Sequence, residues 1–233
     1  MDGSGAVVVI GGTSGIGKEV ARYYAERGRP VVISGRDPGR AAEVAREIGR
    51  TVQGVAVDLT RPDDVPARLS SLGPVGGLVL AAIDRDRNTV KEYDVQSAIN
   101  LVTLKLVGYT AVVHALHRQL TAESAIVIFG GLAKERPYPG STTITTINAG
   151  VAGLVRTLAI ELAPVRVNAI HPGIVSDSPY WANNAAMLER TLGRTPTGRL
   201  VRMKDVVDAV AFLLGNPAVN GVELHVDGGW ILI

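Results

Sequence analysis

The sequence predicts a single α/β domain built on a doubly wound, parallel, seven-stranded sheet, and three observations carry that prediction. Short β-branched runs alternate with longer segments of helical period along the whole chain. The runs are apolar throughout rather than alternating, so each needs helices on both faces of its sheet. A glycine-rich turn joins the first run to the first helical segment, the arrangement of a nucleotide-binding βα unit.

The elements follow in order. AVVVI (6–10) is the first strand, and GGTSGIG then places Gly11, Gly15 and Gly17 between it and the helical GIGKEVARYYAERG. That spacing gives a tight turn, close approach of backbone N–H groups to a pyrophosphate, and a helix N-terminus aimed at negative charge. Thr13 and Ser14 add hydroxyls to the same loop. The second strand, PVVIS (30–34), runs into Gly35, Arg36 and Asp37. An acidic residue at that tip would favour NAD(H) by accepting from the adenosine ribose. Here Gly35 leaves room and Arg36 pairs with a 2′-phosphate, so NADP(H) is expected ahead of NAD(H), with the Asp37 charge as an opposing feature.

The third strand, TVQGVAV (51–57), closes on Asp58, a partner for the adenine amino group or an N-cap for DLTRPDDV. GLVLAA (77–82) is the fourth strand. A long helical segment from about Asn88 to Gln119 leads to SAIVIF (124–129), and a second from about Ser141 to Ala163 leads to VRVNAI (165–170). The stretch from His171 to Arg199, with PYWANN and GRTPTG, is the least regular. A long connection after a late strand of an open α/β sheet lies at the carboxyl edge, so residues 174–199 are read as a substrate lid. KDVVDAVAFLLG and the strand VELHV (222–226) complete a single domain, 1–233.

Composition limits the function classes. With 46% hydrophobic residues in 233, the chain can bury one sizeable core. It has no cysteine, which excludes disulfides and thiolate metal sites and suits a cytoplasmic setting. The start MDGSG lacks the basic-then-apolar pattern of an export signal, and no apolar run is read as long enough for a membrane helix. The sequence pI is near 9.0, but the net charge is only +2 and the arginines are dispersed, so no nucleic-acid partner is expected.

GGTSGIG, SGRD at 34–37, VDLT at 57–60, INL at 99–101, RVNAIHPG at 166–173 and VDGG at 226–229, in this order, resemble the short-chain dehydrogenase/reductase family over nearly the whole chain. The resemblance implies a Rossmann-type fold, a nicotinamide cofactor, a small-molecule substrate, and a homodimer or homotetramer packed through the two long helices. It also implies cofactor contacts at Ile16, Leu59, Ala82, Asn148, Pro172, Gly173 and Ile174. The family's serine, tyrosine and lysine positions fall on Gly131, Ile144 and Asn148, so its proton-transfer set is replaced. The threonine expected after the Pro-Gly pair is Asp177. Asn100, which in the family supports a water relay to the lysine, lacks its cation and is left as a relay remnant or a helix-satisfying side chain.

Other groups are candidates for supplying the proton. Tyr138 and Lys134 lie in the loop GLAKERPYPG, Tyr180 lies in the lid, and Ser141, Thr142, Thr143, Thr145 and Thr146 crowd around Ile144. Thr143 and Thr145 point about 100° away from Ile144 on a helix, so neither replaces a tyrosine there. Asp84 and Asp86 follow the fourth strand near the expected cofactor edge. His114 and His117 share a helix face without a third ligand, and His171 and His225 show no partner in sequence, so no metal site is expected. Together these readings describe an atypical NADP(H)-dependent carbonyl reductase whose proton comes from water or substrate. The alternative is a nucleotide-binding relative without catalysis, or a non-redox isomerase or dehydratase.

Overall fold

The computed structural model describes residues 5–233; the reading made of Met1–Ser4 lies outside the described residues. Seven strands form one all-parallel sheet: β1 (Ala6–Ile10), β2 (Val31–Gly35), β3 (Val52–Ala56), β4 (Val75–Leu80), β5 (Leu120–Phe129), β6 (Arg166–Pro172) and β7 (Glu223–Val226). Their order is β3-β2-β1-β4-β5-β6-β7, so the chain reverses direction across the sheet between β1 and β4. A ligand crevice is expected at the carboxyl ends of those two strands.

The helices are α1 (Gly15–Ala25), α2 (Pro38–Ile48), α3 (Val65–Leu69), α4 (Val95–Val102), α5 (Tyr109–Leu116), α6 (Thr142–Glu161), α7 (Ala185–Leu192) and α8 (Met203–Gly215). One face of the sheet packs Val8, Leu78, Ile126 and Val167 against Val112, Val113, Val151 and Val155 of α5 and α6. The other packs Val7, Val9, Val127 and Ile170 against Val20 of α1 and Val210 of α8. Alternate strand residues thus serve opposite cores, which is why the strands are continuously apolar.

Three expectations change. The segment expected to be helical from Asn88 is irregular until Val95, because the Asn88 side chain holds that turn, accepting from Asp94 N at 2.8 Å and donating to Asp94 O at 3.0 Å. Asp94 then caps α4 by accepting from Ser97 N at 3.0 Å. Second, α4 and α5 are joined through a π-helical stretch, Thr103–Gly108. Third, Val95–Leu116 and Thr142–Glu161 are both long and apolar enough to span a membrane by length and composition. The apolar runs are therefore longer than the sequence reading allowed, and the buried share of each faces the sheet through residues such as Val112, Leu116, Val151 and Val155.

Candidate functional site at the carboxyl edge

The glycine turn is built as the sequence requires. Gly11 has φ +85° and backs onto the fourth strand's end, where a Cβ would lie 2.6 Å from Ala82 Cα. A Cβ on Gly17 would lie 2.3 Å from the Gly11 carbonyl oxygen, so only glycine lets α1 start this close to the strand. Ser14 precedes α1 in extended conformation and its side chain makes no capping hydrogen bond; no acidic residue stands in the first turn. The positive end of the helix and a free hydroxyl therefore face the crevice together, a donor set that fits a pyrophosphate. Thr13 occupies the space over Gly35, where a Cβ would lie 2.7 Å from Thr13 Cγ2.

Around this cradle, Arg36 is exposed and stands 3.6 Å from Asp84, which links the tips of β2 and β4. Asp37, the opposing feature in the sequence, is the N-cap of α2 and accepts from Arg40 N at 2.5 Å. Asp58 is not a helix N-cap. Its Oδ1 accepts from Thr60 N at 3.0 Å and from Thr60 Oγ1 at 2.7 Å, closing a turn two residues on because Pro62 starts the next helical turn later. Leu59 is buried in the core, so only its backbone faces the crevice, whereas Ile16, Pro172, Gly173 and Ile174 are half-buried along its rim.

On the other side of the crevice, Ile144 and Asn148 are one turn apart on the buried face of α6. Gly131 lies opposite Asn148, where a Cβ would be 2.8 Å from Asn148 Nδ2. Ile144 packs with Leu101, Ala133 and Ile147 in a small apolar cluster. Asn100 is exposed and accepts from Gln96 Nε2 at 3.0 Å, so its side chain serves its own helix surface.

The hydroxyls near Ile144 are engaged structurally. Ser141 Oγ donates to Tyr138 O at 2.7 Å and lies 2.9 Å from Thr145 Oγ1, which donates to Ala133 O. Thr143 Oγ1 accepts from Asn88 Nδ2, and Thr146 Oγ1 donates to Thr142 O. Lys134 is drawn away into ion pairs with Glu135 at 2.5 Å and Glu223 at 2.9 Å. Tyr138 and Tyr180 stay exposed at the rim. Asp177 accepts from Met203 N at 2.7 Å and so ties residues 174–199 to the start of α8; Val175 bridges Val201 at the base of the same segment.

His171 and His225 do have partners, which strand pairing hid from the sequence: they are neighbours on β6 and β7, ring centroids 5.5 Å apart. His171 Nε2 is 3.3 Å from Glu223 Oε2 and His225 Nε2 is 3.0 Å from Glu135 Oε1, close contacts without hydrogen-bond geometry. Burial, followed by the Lys134 charge, pushes His171 down to about 4, so it is neutral at pH 7. Its ring fills the space over Gly130, where a Cβ would lie 2.4 Å from Nδ1 and Cε1. Gly130→Ala should therefore cost about 1–3 kcal/mol by overpacking. Urea unfolding checks this, and His171→Ala in the same chain should remove most of the added cost; strict additivity of the two changes would disprove the contact.

Two buried groups were missed altogether. Lys105, in the π-helical stretch, is 1% exposed and donates to Tyr109 Oη at 3.1 Å, and Tyr109 Oη donates to Ala82 O at 2.5 Å. Burial, aided by the Arg85 charge, pushes Lys105 down to about 7, and burial raises Tyr109. This chain ends on the wall of the crevice. His114 and His117 stack at 5.6 Å on the exposed end of α5, away from it.

Comparison with known proteins agrees with this geometry. Residues 10–231 match the family described as enoyl-(acyl carrier protein) reductase. The chain is 34% identical to cis-4-hydroxycyclohexanecarboxylate dehydrogenase of Sinomonas cyclohexanicum, over 97% of this chain and 96% of that one. It is 32% identical to 4-formylbenzenesulfonate dehydrogenase of Comamonas testosteroni, over 95% and 96%. The crystal structure of 3-ketoacyl-(acyl-carrier-protein) reductase from Brucella melitensis complexed with NADH superposes with a TM-score of 0.86 at 29% identity, over 98% of both chains. The glycine cradle, the seven-stranded order and these full-length matches place the chain in the short-chain dehydrogenase/reductase family.

Proposed function

We propose that the protein is an NADP(H)-dependent oxidoreductase that reduces a carbonyl of a small cyclic molecule, with residues 174–199 as its substrate lid. The observation that carries the reading is the cradle: free Ser14 hydroxyl, unopposed α1 N-terminus, and glycines where any Cβ would close the approach. NADP(H), when bound, supplies the hydride, and Gly11, Thr13, Ser14, Gly15, Ile16 and Gly17 are the residues to hold its phosphates. Asp37 is committed to capping α2, which leaves Arg36 as the cation for a 2′-phosphate once Asp84 releases it. Both curated relatives are named for six-membered-ring compounds, which supports a cyclic substrate. Exposed Val95, Ile99 and Val107 on α4 and the π stretch, with Ile160 on α6, support assembly of copies through the two long helices.

With Ile144 in an apolar cluster and the nearby hydroxyls bonded elsewhere, the proton on this reading comes from water or from the substrate. The same apolar packing favours the second reading, nucleotide binding without redox chemistry. NADPH oxidation across a panel of cyclic ketones and aldehydes separates the two: bound NADPH with no oxidation of any member above background refutes the reductase. Arg36→Ala should weaken NADPH roughly 10- to 100-fold, the loss of a charge-assisted pair, and leave NADH within about twofold. Fluorescence titration checks it, and equal losses for both cofactors would show that Arg36 does not read the 2′-phosphate.

A further inference from the structure

Arg85 lies beyond the carboxyl end of β4, three residues past Ala82 in the crevice wall, and pairs with no carboxylate among the described residues. Of its neighbours, Asp84 faces Arg36 at 3.6 Å, and Asp86 Oδ2 accepts from Asn88 Nδ2 at 2.8 Å while its Oδ1 is buried without a partner. The guanidinium carbon instead stands 3.5 Å from the Tyr180 ring centroid and 5.8 Å from that of Trp181. Those two rings meet edge to face at 4.6 Å. Residues 174–199 thus cross the carboxyl edge and close on the loop after β4.

Stacking on an aromatic face uses the flat side of a guanidinium and leaves its edge donors free. A fork held in one plane with free N–H groups matches a carboxylate or sulfonate bidentately. Tyr180 and Trp181 give apolar surface for a ring beside it. One cation and two packed aromatics therefore stand together beyond the carboxyl end of β4.

We propose that Arg85 is the anchor for the acid group of an anionic, ring-bearing carbonyl substrate, with the substrate ring laid against Tyr180 and Trp181. The carbonyl chemistry rests on the oxidoreductase reading, but anion capture is testable without it.

Isothermal titration of the full chain, preloaded with NADPH, compares benzoate with benzamide, its neutral isostere. Benzoate should bind roughly 10- to 100-fold more tightly, the range for a charge-assisted bidentate pair. Arg85→Gln should erase the difference, and Arg85→Lys, which keeps the charge but not the fork, should retain part of it. Equal binding of the two probes to the unaltered chain, absence of benzoate binding, or benzoate affinity in Arg85→Gln within twofold would each overturn the proposal and leave Arg85 as a latch for the lid. NADPH oxidation with 4-formylbenzoate and 4-formylbenzamide keeps the two readings apart. Arg85-dependent benzoate binding without turnover of either aldehyde or of any member of the carbonyl panel sustains the anion site and refutes the reductase; equal KM for both aldehydes, unchanged in Arg85→Gln, does the reverse.

Discussion

Lys105→Met should raise the unfolding free energy by about 3–5 kcal/mol at pH 6 and by almost nothing at pH 10.5 and above. The lysine is fully buried, and its ammonium has one neutral hydrogen-bond partner, Tyr109 Oη, at 3.1 Å. Burial holds its folded pKa near 7. An unfolded lysine titrates near 10.4, and each unit of difference is worth about 1.4 kcal/mol. Because the folded value is the lower one, the unfolded chain binds the extra proton between about pH 7 and 10.4, and the group's contribution to stability rises with pH through that window. Its full cost is therefore present below pH 7 and absent above about 10.4. Methionine keeps the unbranched stem without the charge, and Tyr109 Oη keeps its bond to Ala82 O. Paired urea titrations of the two chains at pH 6 and 10.5 isolate this one group; a difference that does not change with pH would show that Lys105 is solvated.

How much of this was legible in the sequence follows from the range of each interaction. The strands and the glycine cradle were, because both rest on local rules: continuous β-branched runs, and glycines where a Cβ meets backbone. The pairing of His171 with His225 was not, since it depends on which strands become neighbours and in what register. Arg85 was hidden for the same reason: its partner Tyr180 is 95 residues away, and only the fold of residues 174–199 brings it back to β4. Lys105 did leave a signal. It is the one lysine or arginine in the stretch 95–116, which has no Asp or Glu, with Tyr109 one turn on, and a lone cation on a core-facing stripe is a buried lysine until shown otherwise. The helix start at Asn88 misled because Asn88 and Asp94 cap a turn whose bonds are made by side chains rather than by backbone periodicity.

Gly131→Ser, Ile144→Tyr and Asn148→Lys, made together, should raise carbonyl reduction by about 10²- to 10⁴-fold, the usual contribution of a positioned proton donor. The reasons for needing all three are geometric and electrostatic. A Cβ at position 131 falls 2.8 Å from Asn148 Nδ2, so the serine alone is crowded until position 148 carries a flexible stem that can move aside. A phenol at position 144 enters the apolar cluster of Leu101, Ala133 and Ile147, where desolvation disfavours its anion. Only a cation one turn on, at position 148, offsets that cost and brings the phenol's pKa toward the working range. Ile144→Tyr by itself should therefore gain less than tenfold. Single-turnover NADPH oxidation with one cyclic ketone, measured for the single, double and triple variants, resolves the contributions. A triple variant that folds, binds NADPH and reacts no faster than the parent would mean that the reacting carbonyl does not lie between positions 131 and 144. The search for the proton donor would then move to the rim, where Tyr138 and Tyr180 present exposed phenols.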